Sequence, residues 1–221
     1  PFAAFLFQKG LPFSLRKIIL FVSTFISLFY NKIEMDSRSG ADSLHREKTM
    51  TQTPSFPFRP AGPADLFLFM GQSNMAGRGV TCSRFPQSAP ACLPGAGWEF
   101  RAVSDPNRLY PAAEPFGALE NRPGGIFEPG MKTGSMVTAF INAYFEETST
   151  PVIGVSVSKG GSSIREWQPG SPFLEDALLR LRTAEKYLAD SCIPIRRRFV
   201  LWCQGETDGD LGTVPSVYEK D

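Results

Sequence analysis

The chain has 221 residues, of which 42% are hydrophobic and 12% aromatic, enough to bury a sizeable core in one domain. Its 23 Lys and Arg residues nearly cancel its 22 Asp and Glu residues, which argues against nucleic acid as a partner and favours a small or neutral ligand. Four cysteines without C-x-x-C spacing and a single histidine argue against a metal site.

The first 49 residues differ from the rest of the chain. An apolar run over residues 18–30 follows two basic residues and suits the core of a signal peptide better than a membrane span. The polar residues 36–49 have the composition of disorder and include His45. Residues 1–49 are therefore either an export or membrane-anchor segment or upstream sequence before a natural start at Met50. The first interpretation predicts a secreted or anchored protein, and the second predicts a cytoplasmic one.

Residues 50–221 are the predicted folded domain. Short apolar runs at residues 66–70, 152–158 and 198–204, each bounded by glycine or polar residues, predict strands covered on both faces. The long stretch 80–132 is rich in Pro and Gly and can hold another short strand, which the pattern does not place. Cys82 and Cys92 lie in this stretch and could be bridged in an exported protein, a question that the sequence leaves open.

Two amphipathic helices are predicted between and after these runs. Ser135 caps the first helix, which runs to about residue 147. The second is capped by Ser171, has Pro172 at its first position and runs to about residue 190. Their predicted apolar stripes are Met136, Phe140 and Tyr144 in the first, and Leu174, Leu178, Leu181 and Leu188 in the second. Strands alternating with helices predict an α/β fold with a parallel sheet and helices on both faces.

Polar residues follow each predicted strand directly, at residues 71–74, 159–163 and 204–208. Each group contains glycine together with hydroxyl, amide or carboxylate side chains. Ligands of open parallel sheets bind beyond the carboxyl ends of the strands, near the change in strand order. We therefore expect the three groups to form one site.

The chemistry that these residues predict is acyl transfer through a serine, which needs a nucleophile, a base and donors to the oxyanion. Ser73 is the candidate nucleophile, and its own backbone N–H is one candidate donor. Gly161 can bring a second backbone N–H close to the substrate because it lacks a Cβ. The side-chain amide of Gln204 is a third candidate, a donor without charge. The candidate supporting residues are Asn74, Glu206 and Asp208.

Structural alternatives stand beside these roles. The turn at Ser73 could be a small polar turn without chemistry. Ser163 and Glu166 form an S-x-x-E capping box, which is compatible with a site because a capped helix also fixes the loop before it. Gln204 and Glu206 could form a polar network that braces their loop.

The stretches GQSNMAGRG, KGGSSIREW and LWCQGETDGD together resemble the sialate O-acetylesterase-like and acetylxylan-esterase-like branch of the SGNH hydrolases, carbohydrate esterase family six. The resemblance runs from Asp65 to the chain end. It implies a three-layer α/β/α sandwich with a parallel, flavodoxin-like sheet, and a cofactor-free, metal-independent esterase acting on acetylated carbohydrates. It assigns the nucleophile to Ser73 and the oxyanion donors to Gly161 and Gln204. It also implies that Trp167 lies near the site against a sugar face, although a core aromatic is an equal alternative.

The chain departs from the family pattern in its catalytic base. The family's histidine lies in an Asp-x-x-His block beyond the Gln-Gly-Glu turn, and no histidine follows that turn in this sequence; His45 precedes Ser73 and cannot be carried over. We therefore expect an inactive fragment that lacks the last strand, the last helix and the Asp-x-x-His pair. The alternative is a non-catalytic carbohydrate-binding remnant of the same fold. A smaller departure is Cys203, where many members have a histidine that is not the catalytic one.

Overall fold

The structure is a computed structural model that describes residues 58–81 and 89–220. The predictions for residues 1–49, including His45, and for Cys82 lie outside these residues. The strands are β1 (Ala64–Gly71), β2 (Gly97–Phe100), β3 (Leu109–Pro111), β4 (Val152–Ser158) and β5 (Ile195–Cys203). The helices are α1 (Ser73–Ala76), α2 (Val137–Thr148), a 3₁₀ helix (Ile164–Trp167), α3 (Pro172–Asp190), α4 (Glu206–Asp210) and α5 (Pro215–Tyr218).

The strands form a five-stranded sheet in the order β3-β2-β4-β1-β5. Pairing is parallel between β1 and β4, β1 and β5, and β2 and β4, whereas the short edge strand β3 is antiparallel to β2. The three long strands lie in the spatial order second, first, third, as at the start of a flavodoxin-like sheet. The predicted α/β fold with a parallel sheet is confirmed, and the change in strand order falls beside β1.

Side chains of β1 alternate between two apolar layers, as a strand buried on both faces requires. Phe67 and Phe69 pack on one face against Phe140 of α2. Leu66 and Leu68 point to the other face, into a cluster that also contains Ala177, Ala184 and Leu188 of α3. Helices on both faces of the sheet give the predicted three layers.

The predicted strands lie where expected, with differences at their ends. Val152–Ser158 matches the prediction, and β1 extends the predicted residues 66–70 in both directions. Strand β5 begins earlier than predicted, at Ile195, because Ile195 and Arg197 pair with Ala64 and Asp65 of β1. The described residues of the irregular stretch 80–132 include two short strands, β2 and β3, which the sequence pattern did not place.

Helix α2 begins later than predicted. Its N-cap is Met136, not Ser135, and the buried residues are Val137, Thr138, Ile141 and Tyr144, so the predicted position of Met136 on the apolar side is wrong. A carboxylate that is distant in sequence helps to hold the start of α2. Glu114 accepts hydrogen bonds from the backbone N–H of Ser135 at 2.8 Å and of Thr138 at 3.3 Å, which satisfies donors at this helix end.

Helix α3 has the predicted ends, and the Ser171 hydroxyl accepts from Leu174 N–H as a cap. Its predicted leucine stripe is only partly right. Leu188 is fully buried, whereas Leu174 and Leu181 are partly buried against the core and Leu178 is half-buried. The most buried side chains of the helix are instead Asp176, Ala177, Arg180, Ala184 and Leu188. The small alanines let the helix lie close to the sheet, and the charged pair reaches into the interior.

A buried cluster of charges lies beside β4. Arg180 is 1% exposed, pairs with Asp176 at 2.8 Å and donates to the carbonyl of Ser156 at 2.8 Å. Lys132 is 4% exposed and donates to the Ser156 hydroxyl at 2.7 Å. Strand β2 pairs with β4 only as far as Gly154, so the Arg180 contact gives Ser156 a partner along the part of β4 that β2 does not reach. We call Lys132, Ser156, Asp176 and Arg180 the interior charge cluster.

Candidate active site

The carboxyl ends of the three long strands meet in register, as predicted. Gly71 is level with Ser158 on one side and with Cys203 on the other. The backbone continues these pairings past the strand ends, since Lys159 N–H donates to the Gly71 carbonyl at 2.8 Å and Gln72 N–H donates to the Cys203 carbonyl at 2.8 Å. The groups at 71–74, 159–163 and 204–208 therefore lie on one edge of the sheet, and we call them the strand-end loops.

Ser73 is the residue at which a tight turn leads from β1 into α1. A Cβ on Gly71 would approach the Cys203 carbonyl oxygen to 2.0 Å, and Gly71 has φ +132°, so only glycine fits where the chain leaves the sheet. Gln72 then caps the short helix, and its carbonyl accepts from Met75 and Ala76 N–H at 3.0 and 2.8 Å. Ser73, the first helical residue, is half-buried at the rim. This is the position in which a serine nucleophile is usually held.

Gln72 joins the first strand-end loop to the third, a role that the sequence did not predict. Its side chain is 2% exposed, and its Oε1 accepts from Gln204 Nε2 at 3.2 Å and from Gly205 N–H at 3.3 Å. Thr207 N–H lies 3.2 Å from the same oxygen. The sequence feature that could have indicated this role is the glutamine inside the Gly-Gln-Ser-Asn turn, because an amide oxygen can accept from several backbone donors at once.

The Gln204 amide is fully engaged with protein groups. Its Nε2 donates to the Ser162 carbonyl at 2.9 Å and also contacts Asp208 Oδ2, while its Oε1 accepts from the Tyr218 hydroxyl at 2.6 Å. Burial raises the pKa of Tyr218, so this hydroxyl keeps the proton that it donates. These contacts form a bracing network of the kind that the sequence allowed for Gln204 as an alternative to an oxyanion role. Tyr218, which the sequence analysis missed, completes the network.

Asp208 is buried at 3% exposure and joins the second and third loops. Its Oδ2 accepts from Ile164 N–H at 2.8 Å, at the start of the 3₁₀ helix, and its Oδ1 accepts from the Thr213 hydroxyl at 3.1 Å. This carboxylate therefore supports the site by fixing backbone.

Asn74 and Glu206 lie together at the exposed rim. The Asn74 amide donates to the Glu206 carboxylate, which ties α1 to the start of α4. Beside them, burial and then the Glu206 charge raise the pKa of the Cys203 thiol, which keeps it neutral at physiological pH. Glu206 is thus a partner of Asn74 in this structure, and the direct catalytic part considered for it stays a prediction.

The second loop carries Gly161 and the capping box. Glu166 accepts from Ser163 N–H at 2.8 Å, as the S-x-x-E pattern predicts. Gly161 is exposed, has φ +69° and has open space where a Cβ would lie, so substrate can approach its backbone. Trp167 is 5% exposed, donates to the Ser162 hydroxyl at 2.9 Å and packs edge-on against Trp202. These contacts match the core-aromatic alternative for Trp167, and a sugar-facing role for it stays a prediction.

Within residues 58–81 and 89–220, no group of three or more His, Cys, Asp and Glu side chains is arranged to hold a metal ion. The same residues include no helix with the length and apolar character needed to cross a membrane.

The comparison with protein families identifies the chain. The family described as carbohydrate esterase, sialic acid-specific acetylesterase matches residues 63–221, which include all three strand-end loops. The chain belongs to this carbohydrate esterase family. The match begins immediately before β1, so the family domain contains the whole five-stranded sheet.

The chain is similar to a curated protein and to solved structures. A probable carbohydrate esterase of Arabidopsis thaliana is 32% identical over 162 residues, which are 67% of this chain and 56% of that protein. The chain thus spans a little more than half the length of that curated relative. An X-ray structure from the same Arabidopsis locus has 28% identity and a TM-score of 0.49, covering 66% of this chain and 59% of that one. A carbohydrate acetylesterase from Xanthomonas citri has 22% identity and a TM-score of 0.35, covering 65% of this chain and 32% of that one.

Proposed function

We propose that the protein is a serine esterase that hydrolyses O-acetyl groups on carbohydrates. The observation that carries the proposal is the position of Ser73, half-buried on a glycine-forced turn between two other polar loops, in a chain of a carbohydrate esterase family. The family is described as that of a sialic acid-specific acetylesterase, which supports an acetylated carbohydrate as substrate.

In this mechanism the Ser73 Oγ attacks the acetyl carbonyl carbon while its proton passes to a general base. The carbonyl oxygen becomes an oxyanion, which accepts from the backbone N–H groups of Ser73 and Gly161. Collapse of the intermediate breaks the bond to the sugar oxygen, which leaves with a proton. Water then hydrolyses the acetyl-serine, releasing acetate and restoring the serine hydroxyl.

Gln204 is proposed in two roles that can be separated. Its amide braces the loops through Ser162 and Asp208, and one of its N–H groups would have to turn from these partners to donate to an oxyanion. The bracing role supports the site whether or not that exchange takes place.

The general base is proposed to be a histidine of an Asp-x-x-His block, as the family resemblance implies. The chain has a single histidine, His45, which lies outside the described residues. Without a base Ser73 is a weak nucleophile at neutral pH, because only oxyanion donors and substrate binding assist it. The proposed mechanism therefore requires a histidine that the three strand-end loops do not contain.

The test compares residues 50–221 with a form that extends through the next Asp-x-x-His in the reading frame. We expect the longer form to release acetate from acetylated sugars and the shorter form to be inactive and to aggregate more. Acetylated xylan and O-acetylated sialic acid, assayed side by side, separate the two substrate types. A longer form that binds acetylated sugar without turnover would favour the non-catalytic remnant. A short form as active as the long one would contradict the missing-base interpretation and direct attention to Glu206 and Asp208.

A further inference from the structure

A buried carboxylate outside the strand-end loops holds the backbone beside Gly161. Glu128 is 6% exposed, and its Oε1 accepts from the backbone N–H of Gly160 at 2.8 Å. The same oxygen accepts from Arg78 Nη2 at 2.6 Å and lies 3.8 Å from Lys159 Nζ. One carboxylate oxygen thus fixes the N–H of the residue that precedes the proposed oxyanion donor.

The next peptide unit is fixed through Lys159. Its Nζ donates to the carbonyl oxygen of Gly160 at 2.9 Å. Because a trans peptide is planar, this carbonyl and the N–H of Gly161 point in opposite directions. Holding the Gly160 oxygen therefore sets the direction of the Gly161 N–H, and the charge of Glu128 beside Lys159 favours that arrangement.

Arg78 extends this arrangement to the nucleophile. Its Nη1 donates to the Met131 carbonyl at 2.8 Å, and the segment just before it is bound to the nucleophile turn because Gly77 N–H donates to the Ser73 carbonyl at 2.8 Å. Glu128 therefore links the segment that carries Ser73 to the loop that carries Gly161.

The packing at Gly160 shows how tightly this link is built. A Cβ on Gly160 would lie 2.1 Å from Arg78 Nη2 and 2.7 Å from Glu128 Oε1. The ion pair fills the space that any side chain at residue 160 would need, so the loop lies directly on it.

We infer that Glu128 is a positioning residue that orients the Gly161 N–H toward the oxyanion and holds it in register with Ser73. The inference rests on the proposed esterase function. Glu128 does not touch the reacting atoms in this role and acts only through Gly160, Lys159 and Arg78. Oxyanion donors are effective when they are aimed before the reaction, so loosening this loop lowers the rate of the chemical step.

The experiment compares Glu128→Ala and Glu128→Gln with Glu120→Ala. Glu120 is a matched control, since it is 1% exposed and accepts from Val103 and Ser104 N–H at 2.9 and 3.1 Å, away from the strand-end loops. Amide hydrogen exchange of Gly160 is measured by NMR in the full 221-residue chain. The values of kcat and KM for an acetyl ester are measured in the longest active form.

We expect Glu128→Ala to speed exchange at Gly160 and to lower kcat by about 10- to 100-fold with KM within about twofold, as a misplacement of about 1 Å can cost about 100-fold. Glu128→Gln keeps an acceptor for Gly160 and should recover part of both effects. Glu120→Ala should lower stability alone. Unchanged exchange at Gly160, or a rise in KM with steady kcat, would overturn the inference. Absence of hydrolysis in every form would reject the esterase proposal, while the exchange result would still decide whether Glu128 holds the loop.

Discussion

Two polar regions of the molecule differ in what their groups do. The interior charge cluster buries Lys132, Asp176 and Arg180 almost completely, and these side chains bind one another or Ser156. The strand-end loops contain mainly neutral polar groups; Gln72 is buried there and braces the backbone, whereas Ser73 is half-buried and Gly161 is exposed. The first region uses its polar groups to hold the fold, whereas the second also leaves Ser73 and the backbone of Gly161 accessible to a substrate.

This difference follows from the cost of burying charge. A buried ion without a partner is strongly unfavourable, so interior charges must be paired within the protein. Neutral amides and backbone N–H groups can remain aimed at an empty position at lower cost, and they become useful when negative charge develops there. Substitutions in the two regions should therefore separate stability from turnover.

The largest expected effect is on turnover at Ser73. In the active form, Ser73→Ala should lower hydrolysis of a nitrophenyl acetate by at least about 1,000-fold, since the remaining help from donors and binding is small beside the loss of the nucleophile. The thermal midpoint should be nearly unchanged because Ser73 lies at a polar rim.

The matched control is Ser171→Ala, which removes the hydroxyl that caps α3. It should cost about 1 kcal/mol of stability and leave kcat unchanged. If Ser73→Ala retained wild-type turnover, the nucleophile assignment would be wrong.

The next effect is on stability at Arg180. Arg180→Leu removes the buried ion-pair partner of Asp176 and leaves this carboxylate only the more distant pair with the partly exposed Arg122 at 3.4 Å. It also removes the donor to the Ser156 carbonyl. We expect a loss of about 3 kcal/mol in the free energy of unfolding, measured by urea denaturation, because a buried charge loses its nearest partner and a buried carbonyl loses its donor. The exposed neighbour Arg182 on the same helix provides the comparison, and Arg182→Leu should change stability by less than about 0.5 kcal/mol. Similar losses in the two variants would mean that the cluster does not hold the fold.

Sequence patterns predicted the sheet well because buried parallel strands are nearly continuous apolar runs. The run at Val152–Ser158 shows this, and the Ser171-Pro172 start of α3 was equally readable from local rules. The start of α2 was only partly readable: the Ser135 hydroxyl accepts from Val137 N–H at 3.1 Å, but Met136 is the N-cap and Thr138 N–H is held by Glu114, far away in sequence. A local pattern cannot show which distant carboxylate reaches a helix end.

For the site, too, the location could be predicted from the sequence, whereas the contacts inside it could not. Polar residues after each strand predicted that the three loops would meet, because parallel strands end at a common edge. The partners within the site depend on tertiary contacts, so the roles of Gln72, Tyr218 and Glu128 were not predicted. Trp167 was ambiguous for the same reason, since burial against Trp202 is invisible in the sequence.

A smaller effect is expected at Gln204, where turnover and stability overlap. If Gln204 also donates to the oxyanion, Gln204→Ala should lower kcat by about 100- to 1,000-fold with little change in KM. The loss of its bonds to Ser162 and Tyr218 should also lower the thermal midpoint by a few degrees. Tyr218→Phe removes only the bracing hydroxyl and serves as the control. A fall in the midpoint with unchanged kcat would leave Gln204 a bracing residue alone, and a rise in KM would make it a ground-state binding residue.

The smallest expected effect is a pH dependence of stability from Lys132. Burial, and then the nearby charge of Arg180, lower the pKa of Lys132 from 10.5 to about 8. Between pH 8 and 10.5 Lys132 is protonated in the unfolded chain but not in the folded chain, so the free energy of unfolding rises with pH. The contribution of Lys132 to stability is lost again as the pH falls from 10.5 through about 8. The slope is at most about 1.4 kcal/mol per pH unit for one proton.

Urea denaturation at pH 8 and 9.5 should show this rise in the wild type relative to Lys132→Met, a difference in which other titrating groups such as Cys92 cancel. Parallel stability curves for the two proteins would show that Lys132 keeps an ordinary pKa, and that the interior charge cluster holds a fully charged lysine.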